Sequence, residues 1–550
     1  MKKYKLVILG SVLALSSLSL YSFTKSDKYF EIAKNLDIFA TLFKEVNTYY
    51  VDDVNPNKFM KDGIDAMLEN LDPYTNYIPE DEIEDYRTHM TGQYGGIGAV
   101  IGTRNDHAMI LMPYEGFPAH KSGLMIGDEI ISVDGFETKG KNTSEISKLL
   151  KGQAGTPVKV NVKRYGVPNT FDVVITREKI KIDNVPYYGM INEKTGYIKL
   201  SEFTNNASKD VKNALTELKT KGAKSIIFDL RDNPGGLLNE AINISNIFIQ
   251  KDKSIVSTKG KTSEWNKIYY ATSSPVDVDI PLVMLTSSRS ASASEIVSGV
   301  IQDYDRGIII GQRSYGKGLV QATHPLSYNS QLKITIAKYY TPSGRCIQAI
   351  DYTHRNEDGS AGKIPDSLRT AFKTKNGRTV YDGGGITPDI PVEKKTIAPI
   401  IGSLYSKSIL FDYATLYASS HKTIAPAKEY VFTDADYSDF LKWVTGKEYD
   451  YKTKVEGTLD ELEKTAKTEK YYDGIKDQIE SLRKQVSHNK ENDLITFKED
   501  IKEMLEEEII SRYYLQKGIV EASFDDDEDI KAALKILNNP TEYAKILSGK

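Results

Sequence analysis

Hydrophobic positions along the first ninety residues follow two different spacings. Residues 6–20 form an uncharged, largely apolar run behind the basic start MKKYK. Further on, apolar side chains recur at three- and four-residue steps, as they do on one face of a helix: Ile32, Leu36, Phe39, Leu42, Phe43 and Val46. A second helix is predicted over residues 57–71, and it ends before Pro73 because proline restricts the residue that precedes it. We therefore predict a helical module over residues 25–91.

The pattern changes twice in the middle of the chain. Residues 92–183 are rich in glycine and β-branched residues, and the alternating segments VKVNVKRYG and TFDVVITREKI predict strands. The segment TSEISKLLKG between the glycine-rich stretch and these strands predicts a short amphipathic helix. Over residues 184–395, apolar runs such as SIIFDL alternate with helical patterns. This alternation predicts an α/β core in which helices pack on a sheet.

Residues 396–550 have a helical pattern and carry charges of alternating sign, which is typical of solvated helix faces. The acidic run FDDDED at residues 524–529 lacks the spacing of an EF-hand loop. We interpret this run as a solvated loop rather than a calcium site. No motif assigns a role to the region, so self-association, shielding of an active site and docking of an adaptor all stay open.

Composition excludes several classes of protein. A chain of 550 residues is too long for one hydrophobic core, so several domains are expected. The net charge of -4 shows no excess of basic residues, which nucleic-acid-binding proteins usually have, and we predict no nucleic-acid partner. The single cysteine, Cys346, excludes an intramolecular disulfide and a cysteine-based zinc site. We interpret Cys346 as a packed residue, and we expect neither a metal nor another cofactor.

The first 24 residues indicate where the protein resides. A basic start followed by an apolar run predicts an export signal, and the length of the run is marginal for a membrane span. No cysteine lies nearby, which excludes a bacterial lipid anchor. Cleavage of the segment and its retention as an anchor both stay open. In either case we expect a periplasmic or cell-envelope protein that meets the membrane only through this segment.

Two segments carry candidate chemistry for acyl transfer, which needs a nucleophile, a base and donors for the oxyanion. The strand SIIFDL runs into the turn RDNPGG and then a helix, an arrangement that presents backbone N–H groups to a developing negative charge. Residues 287–321 place several serines at a helix start and, further on, a lysine between two glycines. Residue types alone do not select the nucleophile, and for an isolated SASAS a helix-capping role is the better interpretation. Lysine fits the role of base better than His324, whose neighbour Pro325 indicates an edge turn.

The succession GGIGAVI, SGL and GDEIISVDG, followed by a short helix and two strands, resembles a PDZ domain over roughly residues 92–182. PDZ domains bind peptide C-termini by adding a strand to a sheet edge, with the backbone amides of a glycine loop holding the carboxylate. The resemblance implies that Ile97, Gly98 and Ala99 form that loop. It also implies that Val100 and Ile101 open the strand that receives the peptide.

The whole series of motifs resembles the carboxyl-terminal processing proteases of S41 type over about residues 30–395. After the helical module and the PDZ segment, the chain carries LRDNPGG, SASASE, YGKGLVQ, YYTPSGR and GGGITPDI in that order. The family consists of PDZ-containing Ser/Lys peptidases that cut substrates near their C-termini. The resemblance implies that Ser292 is the nucleophile, that Lys317, 25 residues later, is the base, and that Gln321 orients this lysine.

The resemblance further implies a multidomain α/β fold, with a crotonase/ClpP-like protease core, an inserted PDZ domain, an N-terminal helical module and a helical C-terminal extension. Lys317, kept neutral by burial, would take the proton of Ser292. The backbone N–H of Ala293 and that of Gly235 or Gly236 would form the oxyanion hole. The expected partners are protein substrates with exposed, apolar C-termini, whose binding to the PDZ domain helps to switch the site on.

Two alternatives belong to other classes. The first is a non-catalytic scaffold in which the PDZ domain and the core hold a peptide, and Ser292→Ala and Lys317→Ala variants that still cut at the wild-type rate would contradict the protease. The second is an acyl-CoA hydratase-like enzyme, since the core resembles the crotonase-type fold in outline. That interpretation requires coenzyme A binding and leaves the PDZ domain unexplained.

Overall fold

A computed structural model describes residues 28–104 and 106–549. The predicted export segment lies outside the described residues. The chain divides into two compact units, one formed by the described residues up to Pro79 together with Thr323–Ile334, the other by Glu80–Ala322 together with the residues from Thr335 onward. Among the described residues, no helix is both long and apolar enough to cross a membrane.

The first unit is mainly helical, as the spacing of its apolar residues predicts. Helix α1 covers residues 28–49, helix α2 covers Pro56–Glu69, and strand β1 covers Asn76–Ile78. The Asn55 side chain accepts a hydrogen bond from the N–H of Lys58, and Pro56 fills the first position of the helix, where no N–H is needed. The rings of Phe43 and Phe59 stack with centroids 5.7 Å apart and hold the two helices together.

The segment with PDZ-like motifs forms a small domain of two β-sheets and short helices. Its elements are α3 (Ile83–Thr91), β2 (Gln93–Gly96), β3 (Ala99–Arg104), β4 (His107–Pro113), α4 (Pro118–Lys121), β5 (Glu129–Val133), β6 (Phe136–Glu137), α5 (Thr143–Leu150), β7 (Pro157–Lys163), β8 (Phe171–Thr176) and β9 (Glu178–Lys181). The main sheet has the order β3-β4-β5-β7-β8, so β3 lies at an edge and pairs only with β4. Strand β2 pairs with β9 and brings the two ends of the domain together.

The central part of the chain is the predicted α/β core. Its elements are β10 (Tyr187–Met190), β11 (Thr195–Lys199), α6 (Ala207–Thr220), β12 (Ser225–Asp229), α7 (Leu238–Phe248), β13 (Ser254–Gly260), β14 (Lys267–Tyr270), β15 (Leu282–Thr286), α8 (Ala293–Asp303), β16 (Ile308–Gly311), β17 (Leu319–Pro325), β18 (Gln331–Tyr340), β19 (Ile350–Arg355), β20 (Ala361–Lys363), β21 (Ala371–Lys373), β22 (Thr379–Tyr381) and β23 (Ile390–Pro391). The main sheet has the order β10-β11-β12-β15-β16-β23 and is parallel from β11 to β23. Strands β12, β15 and β16 are fully buried, which explains their continuous apolar sequences.

The two faces of this sheet pack against different parts of the chain. Alternate residues such as Phe228 and Met284 share a core with helices α6, α7 and α8. Their neighbours Ile227 and Leu285 face the other way, into a cluster that contains Phe524 and further apolar residues from the C-terminal region. The C-terminal region therefore covers one face of the core sheet, a role that no motif in the sequence indicates.

The C-terminal region is helical, as predicted. Its helices are α9 (Pro399–Ser406), α10 (Ile409–Ser420), α11 (Asp434–Val444), α12 (Lys454–Thr468), α13 (Tyr472–Glu491), α14 (Asp493–Thr496), α15 (Lys498–Ala522), α16 (Glu528–Leu537) and α17 (Pro540–Ser548). Helix α15 is kinked at Leu515, whose φ of 53° and ψ of -153° are not helical. The first helices also contact the PDZ-like domain, where the guanidinium of Arg104 lies 4.1 Å from the ring centroid of Phe411 and donates to Ser408 Oγ at 2.8 Å.

Candidate active site

Ser292 occupies a strained turn between a buried strand and a buried helix. Strand β15 ends at Thr286, and after a short loop Ser292 takes the N-cap position of α8 with φ 55° and ψ -112°. Positive φ is unfavourable for a residue with a Cβ, and such a conformation costs on the order of 1–3 kcal/mol. An ordinary N-cap has extended backbone instead. The strain favours a functional role for this residue over the helix-capping interpretation.

Three other serines around the helix start, Ser287, Ser290 and Ser294, are engaged in structural contacts. Ser290 and Ser294 are completely buried, and their hydroxyls donate to the carbonyls of Leu230 at 2.7 Å and Asn233 at 2.9 Å. The Ser287 hydroxyl donates to Asp232 at 2.9 Å. Ser292 itself is only half-buried. These contacts give Ser287, Ser290 and Ser294 structural roles, and they favour Ser292 over these three as the candidate nucleophile.

Glu295 links the serine turn to the lysine loop. Its Oε2 accepts hydrogen bonds from the backbone N–H groups of Ser292 and Lys317, each at 2.8 Å, so the two nitrogens lie less than about 6 Å apart. Its Oε1 accepts from the N–H of Gly316 at 2.7 Å and from the Ser314 hydroxyl at 2.5 Å. Burial raises the pKa of Glu295, while these four hydrogen bonds oppose the rise. Three of the four partners are N–H groups that can only donate, so both oxygens of Glu295 act as acceptors at this site.

Lys317 lies in the loop between β16 and β17 and is half-buried, less enclosed than the resemblance implies. Gly316 before it has a φ of +89°, and a Cβ at that position would lie 2.3 Å from the Cβ of Ala349. The N–H of Gly318 after it donates to Gln348 Oε1 at 2.7 Å. The two glycines thus let the lysine loop approach the neighbouring backbone closely, which explains the GKG sequence.

The glycine turn after β12 lies directly against the serine. A Cβ at Gly235, whose φ is +100°, would lie 2.8 Å from the Ser292 Cβ and 2.8 Å from the Ala293 nitrogen. The N–H of Gly235 already donates to Asn233 Oδ1 at 2.8 Å. Within the described parts of the chain, the N–H groups of Ala293 and Gly236 make no hydrogen bond. The turn therefore lies against the serine, and the N–H groups of Ala293 at the start of α8 and of Gly236 in the turn are available to a ligand.

Two charged residues at the end of β12 were not assigned a role from the sequence. Asp229 is completely buried and accepts hydrogen bonds from Tyr197 Oη at 2.6 Å and Arg231 Nη2 at 2.7 Å. Burial alone would raise the pKa of Asp229, but Arg231, Lys199 and Tyr197 together lower it to about 2. In the sequence, these two residues are recognisable as opposite charges on either side of Leu230, at the end of an otherwise apolar strand. The ion pair fixes the start of the glycine turn.

Other predicted site residues have the following positions. Gln321 is half-buried on β17, and its Nε2 donates to Thr335 Oγ1 at 3.1 Å. His324, the alternative base, is exposed on the same strand. Burial raises the pKa of the Cys346 thiol, as expected for a packed cysteine and not for a nucleophile. Throughout residues 28–104 and 106–549, no group of three or more His, Cys, Asp or Glu side chains is arranged to hold a metal ion.

The predicted peptide-binding residues lie at the open edge of the PDZ-like sheet. Ile97 and Gly98 form a buried turn, and Gly98 has a φ of +74°. Their N–H groups make no hydrogen bond to any part of the chain that the structure describes. Ala99, Val100 and Ile101 begin the edge strand β3, which packs near helix α5. The turn and the strand thus have the arrangement that strand addition requires.

Comparison with known proteins agrees with these features. Residues 194–355 match the family described as Peptidase family S41, residues 95–175 match the PDZ domain, and residues 400–537 match a family described as "Probable PDZ-protease, C-terminal helical domain". The "Carboxy-terminal-processing protease" of Bartonella bacilliformis is 34% identical over 351 residues, which cover 63% of this chain and 79% of that protein.

Two further similar proteins are a curated relative and a solved structure. A "Probable CtpA-like serine protease" of Staphylococcus aureus is 36% identical over 316 residues, covering 57% of this chain and 62% of that protein. Among solved structures, the photosystem II D1 C-terminal processing protease is 27% identical, with a TM-score of 0.36, over 66% of this chain and 93% of its own. The predicted fold class, a multidomain α/β protein with a PDZ domain, is confirmed. The chain belongs to the carboxy-terminal-processing proteases, the PDZ-containing serine peptidases of family S41.

Proposed function

We propose that this peptidase cuts proteins near their C-termini by a Ser-Lys mechanism, with Ser292 as nucleophile and Lys317 as general base. The observation that carries the proposal is the shared acceptor: the backbone N–H groups of both residues donate to Glu295 Oε2 at 2.8 Å. A serine hydroxyl becomes a nucleophile only with a base in reach, and one carboxylate holds the two loops together. The strained turn at Ser292 and the structural use of its neighbouring serines support the same choice.

In the proposed reaction, the neutral amine of Lys317 takes the hydroxyl proton of Ser292 as the oxygen attacks the scissile carbonyl. The N–H groups of Ala293 and Gly236 donate to the oxyanion of the tetrahedral intermediate. We favour Gly236 over Gly235 because the N–H of Gly235 already donates to Asn233. The Lys317 ammonium then returns the proton to the leaving amine. Water, deprotonated by the same lysine, hydrolyses the acyl-enzyme.

Gln321 is proposed to orient the lysine through its carbonyl oxygen. A lysine ammonium has donors only and therefore needs an acceptor. The Gln321 amide nitrogen donates to Thr335, which leaves Oε1 as the atom available to accept from Lys317.

The PDZ domain is proposed to deliver the substrate. An extended C-terminus would pair with the open edge of β3, and the N–H groups of Ile97 and Gly98 would bind the terminal carboxylate. The partly buried Ala99 and Ile101 offer an apolar surface to the last side chains, so substrates with apolar C-termini are expected.

The proposed domain boundaries are residues 92–183 for the PDZ domain, 184–395 for the core and 396–550 for the helical region. Export to the cell envelope is proposed on the N-terminal segment alone.

Two measurements test the proposal. Ser292→Ala and Lys317→Ala variants are incubated separately with an unfolded protein that has an apolar C-terminus, and the fragments are identified by mass spectrometry. Both variants should be inactive while they still bind the substrate, and cutting at the wild-type rate by either would refute the assignment. A fluorescent peptide with a free apolar C-terminus should bind more tightly than the same peptide ending in an amide. Equal affinity of the two peptides would contradict carboxylate recognition by the PDZ turn.

A further inference from the structure

The acidic run at residues 524–529 is not the solvated loop that its sequence predicts. It follows helix α15 directly and packs against the end of β12. Phe524 is buried, with its ring centroid 5.1 Å from that of Tyr197 and 5.7 Å from that of Tyr187. The expectation was wrong because the sequence does not indicate that Phe524 is buried. It also does not indicate which of the acidic residues contact the core.

Only two of the acidic side chains in this run point at the core. Asp527 Oδ2 accepts a hydrogen bond from Arg231 Nη1 at 2.6 Å, and Asp529 Oδ2 accepts from the same nitrogen at 2.9 Å. Asp525 and Asp526 are exposed. The contacts are therefore specific to alternate positions and do not reflect a generally acidic surface.

The guanidinium group of Arg231 connects the α/β core to the C-terminal helical region through hydrogen bonds. Its Nε and Nη2 donate to Asp229 at the end of β12, and its Nη1 donates to Asp527 and Asp529. An arginine held at three nitrogens has little freedom to turn, because the guanidinium is rigid and planar. The side chain of Phe524 adds to this by packing on Tyr197, whose hydroxyl donates to the same Asp229.

Arg231 is also the first residue of the turn that faces the nucleophile. Its backbone N–H donates to Asp229 Oδ1 at 2.8 Å. The next residue, Asp232, has a φ of 63°, and three residues after that Gly235 lies against Ser292. A rotation of Arg231 would therefore move the backbone donors relative to the serine.

We propose that Asp527 and Asp529 of the C-terminal helical region are positioning residues for peptide hydrolysis. They hold Arg231, and through it the turn of residues 231–236, in the geometry that places backbone donors beside Ser292. The inference rests on the proposed role of Ser292 and of this turn. It assigns the C-terminal region a part in the catalytic step, separate from any role in binding adaptors or a second copy.

The test compares two double variants of the full chain that remove the same charge from the same six-residue run. Asp527→Asn with Asp529→Asn removes the two negative charges that Arg231 Nη1 contacts, and it replaces charge-assisted hydrogen bonds with weaker neutral ones. Asp525→Asn with Asp526→Asn is the matched control at exposed positions. The Asp527→Asn change still allows helix α16 to be capped, because Oδ1 of Asp527 accepts from the N–H groups of residues 529 and 530 and an amide oxygen can make this contact without a charge.

The readouts separate positioning from folding and from substrate binding. The Asp527/Asp529 variant should lose kcat by about 10-fold to 100-fold, since small displacements of catalytic donors have effects of that size. Its KM and its affinity for a C-terminal peptide should match those of the control. Its melting temperature should be lower, because Arg231 loses two charged partners, so kcat is compared at a temperature at which both variants are fully folded. Reaction of Ser292 with a fluorophosphonate probe should slow in proportion to kcat. The single Asp529→Asn variant, which leaves the cap intact, gives a smaller loss of the same kind and serves if the double variant folds poorly.

The outcomes distinguish this inference from the proposed function. If the Asp527/Asp529 variant has the kcat of the control while Ser292→Ala is inactive, the inference is wrong and the Ser-Lys assignment stands. If Ser292→Ala still cuts, the Ser-Lys assignment fails first. A loss confined to KM would also overturn the inference, because it would indicate a substrate-binding role for the acidic pair.

Discussion

Replacing Glu295 tests the idea that one carboxylate couples the nucleophile to its base. In Glu295→Ala the N–H groups of Ser292, Gly316 and Lys317 lose their acceptor, as does the Ser314 hydroxyl. A buried donor without a partner costs about 1–3 kcal/mol, so the three N–H groups together cost at least about 3 kcal/mol in the free energy of unfolding. With the shared acceptor gone, the serine turn and the lysine loop can separate, and kcat should fall by about 100-fold or more.

The Glu295→Gln variant makes the prediction sharper. A glutamine can keep its carbonyl oxygen on the N–H groups of Ser292 and Lys317 and turn its amide toward Ser314 and Gly316. The Ser314 oxygen can accept a hydrogen bond from this amide, although its own proton loses an acceptor, and the N–H of Gly316 is the one backbone donor left without a partner. The loss of stability should then be about 1–3 kcal/mol, and kcat should fall much less than in the alanine variant.

The assay combines chemical denaturation, steady-state cleavage of a C-terminally labelled protein, and titration of Ser292 with a fluorophosphonate. A Glu295→Ala variant with kcat within twofold of the wild type would refute the coupling. Equal loss of kcat in the alanine and glutamine variants would also refute the geometric argument. That result would indicate that the negative charge of Glu295, and not its shared oxygen, matters.

Three further predictions concern other parts of the core. Gly235→Ala should lower kcat/KM by about 100-fold, because its Cβ would lie 2.7 Å from the Ala291 carbonyl oxygen and beside Ser292. Binding of a labelled peptide to the PDZ domain should stay unchanged, and cleavage within twofold of the wild-type rate would contradict the prediction. Arg345→Met should lower the free energy of unfolding by about 3–5 kcal/mol, since it leaves the carboxylate of Asp303 buried without its ion-pair partner. Adding Asp303→Leu should restore much of this loss in the same denaturation assay. Asp229 has a folded pKa of about 2 against an ordinary value of 3.8, so its stabilisation is present above pH 3.8 and is lost as the pH falls toward 2. The acid limb of the unfolding curve should be flatter in Asp229→Asn, and an unchanged limb would contradict the assignment.

The sequence predicts the fold well where local periodicity and packing agree. The buried strands β12, β15 and β16 and the helices that follow them show up as apolar runs and amphipathic patterns, since both faces of the sheet are covered. The motifs around Ser292 and Lys317 identify the family through their order along the chain. These features depend on neighbours in sequence, and a single chain is enough to detect them.

Contacts between distant segments were not predictable in the same way. The ion pairs of Arg231 with Asp527 and Asp529 join residues almost three hundred positions apart, and nothing local distinguishes these aspartates from Asp525 or Asp526. The contact between Glu295 and Ser292 does have a local sequence signal, because a glutamate three residues after a serine at a helix start is a capping-box pattern. Its second pair of partners, in the lysine loop, could only be seen in three dimensions.

The covering of the core sheet by the C-terminal region has a consequence for the order in which the protein folds. One face of β12, β15 and β16 is completed by Phe524, Ile530 and Ile536, which leave the ribosome roughly two hundred residues after β16. Until those residues arrive, Ile227, Leu285 and Ile310 lack the C-terminal part of their packing cluster, and Arg231 lacks two of its acceptors. We therefore expect the core sheet to complete its packing only after the C-terminal region is synthesised, well after the segments that carry Ser292 and Lys317.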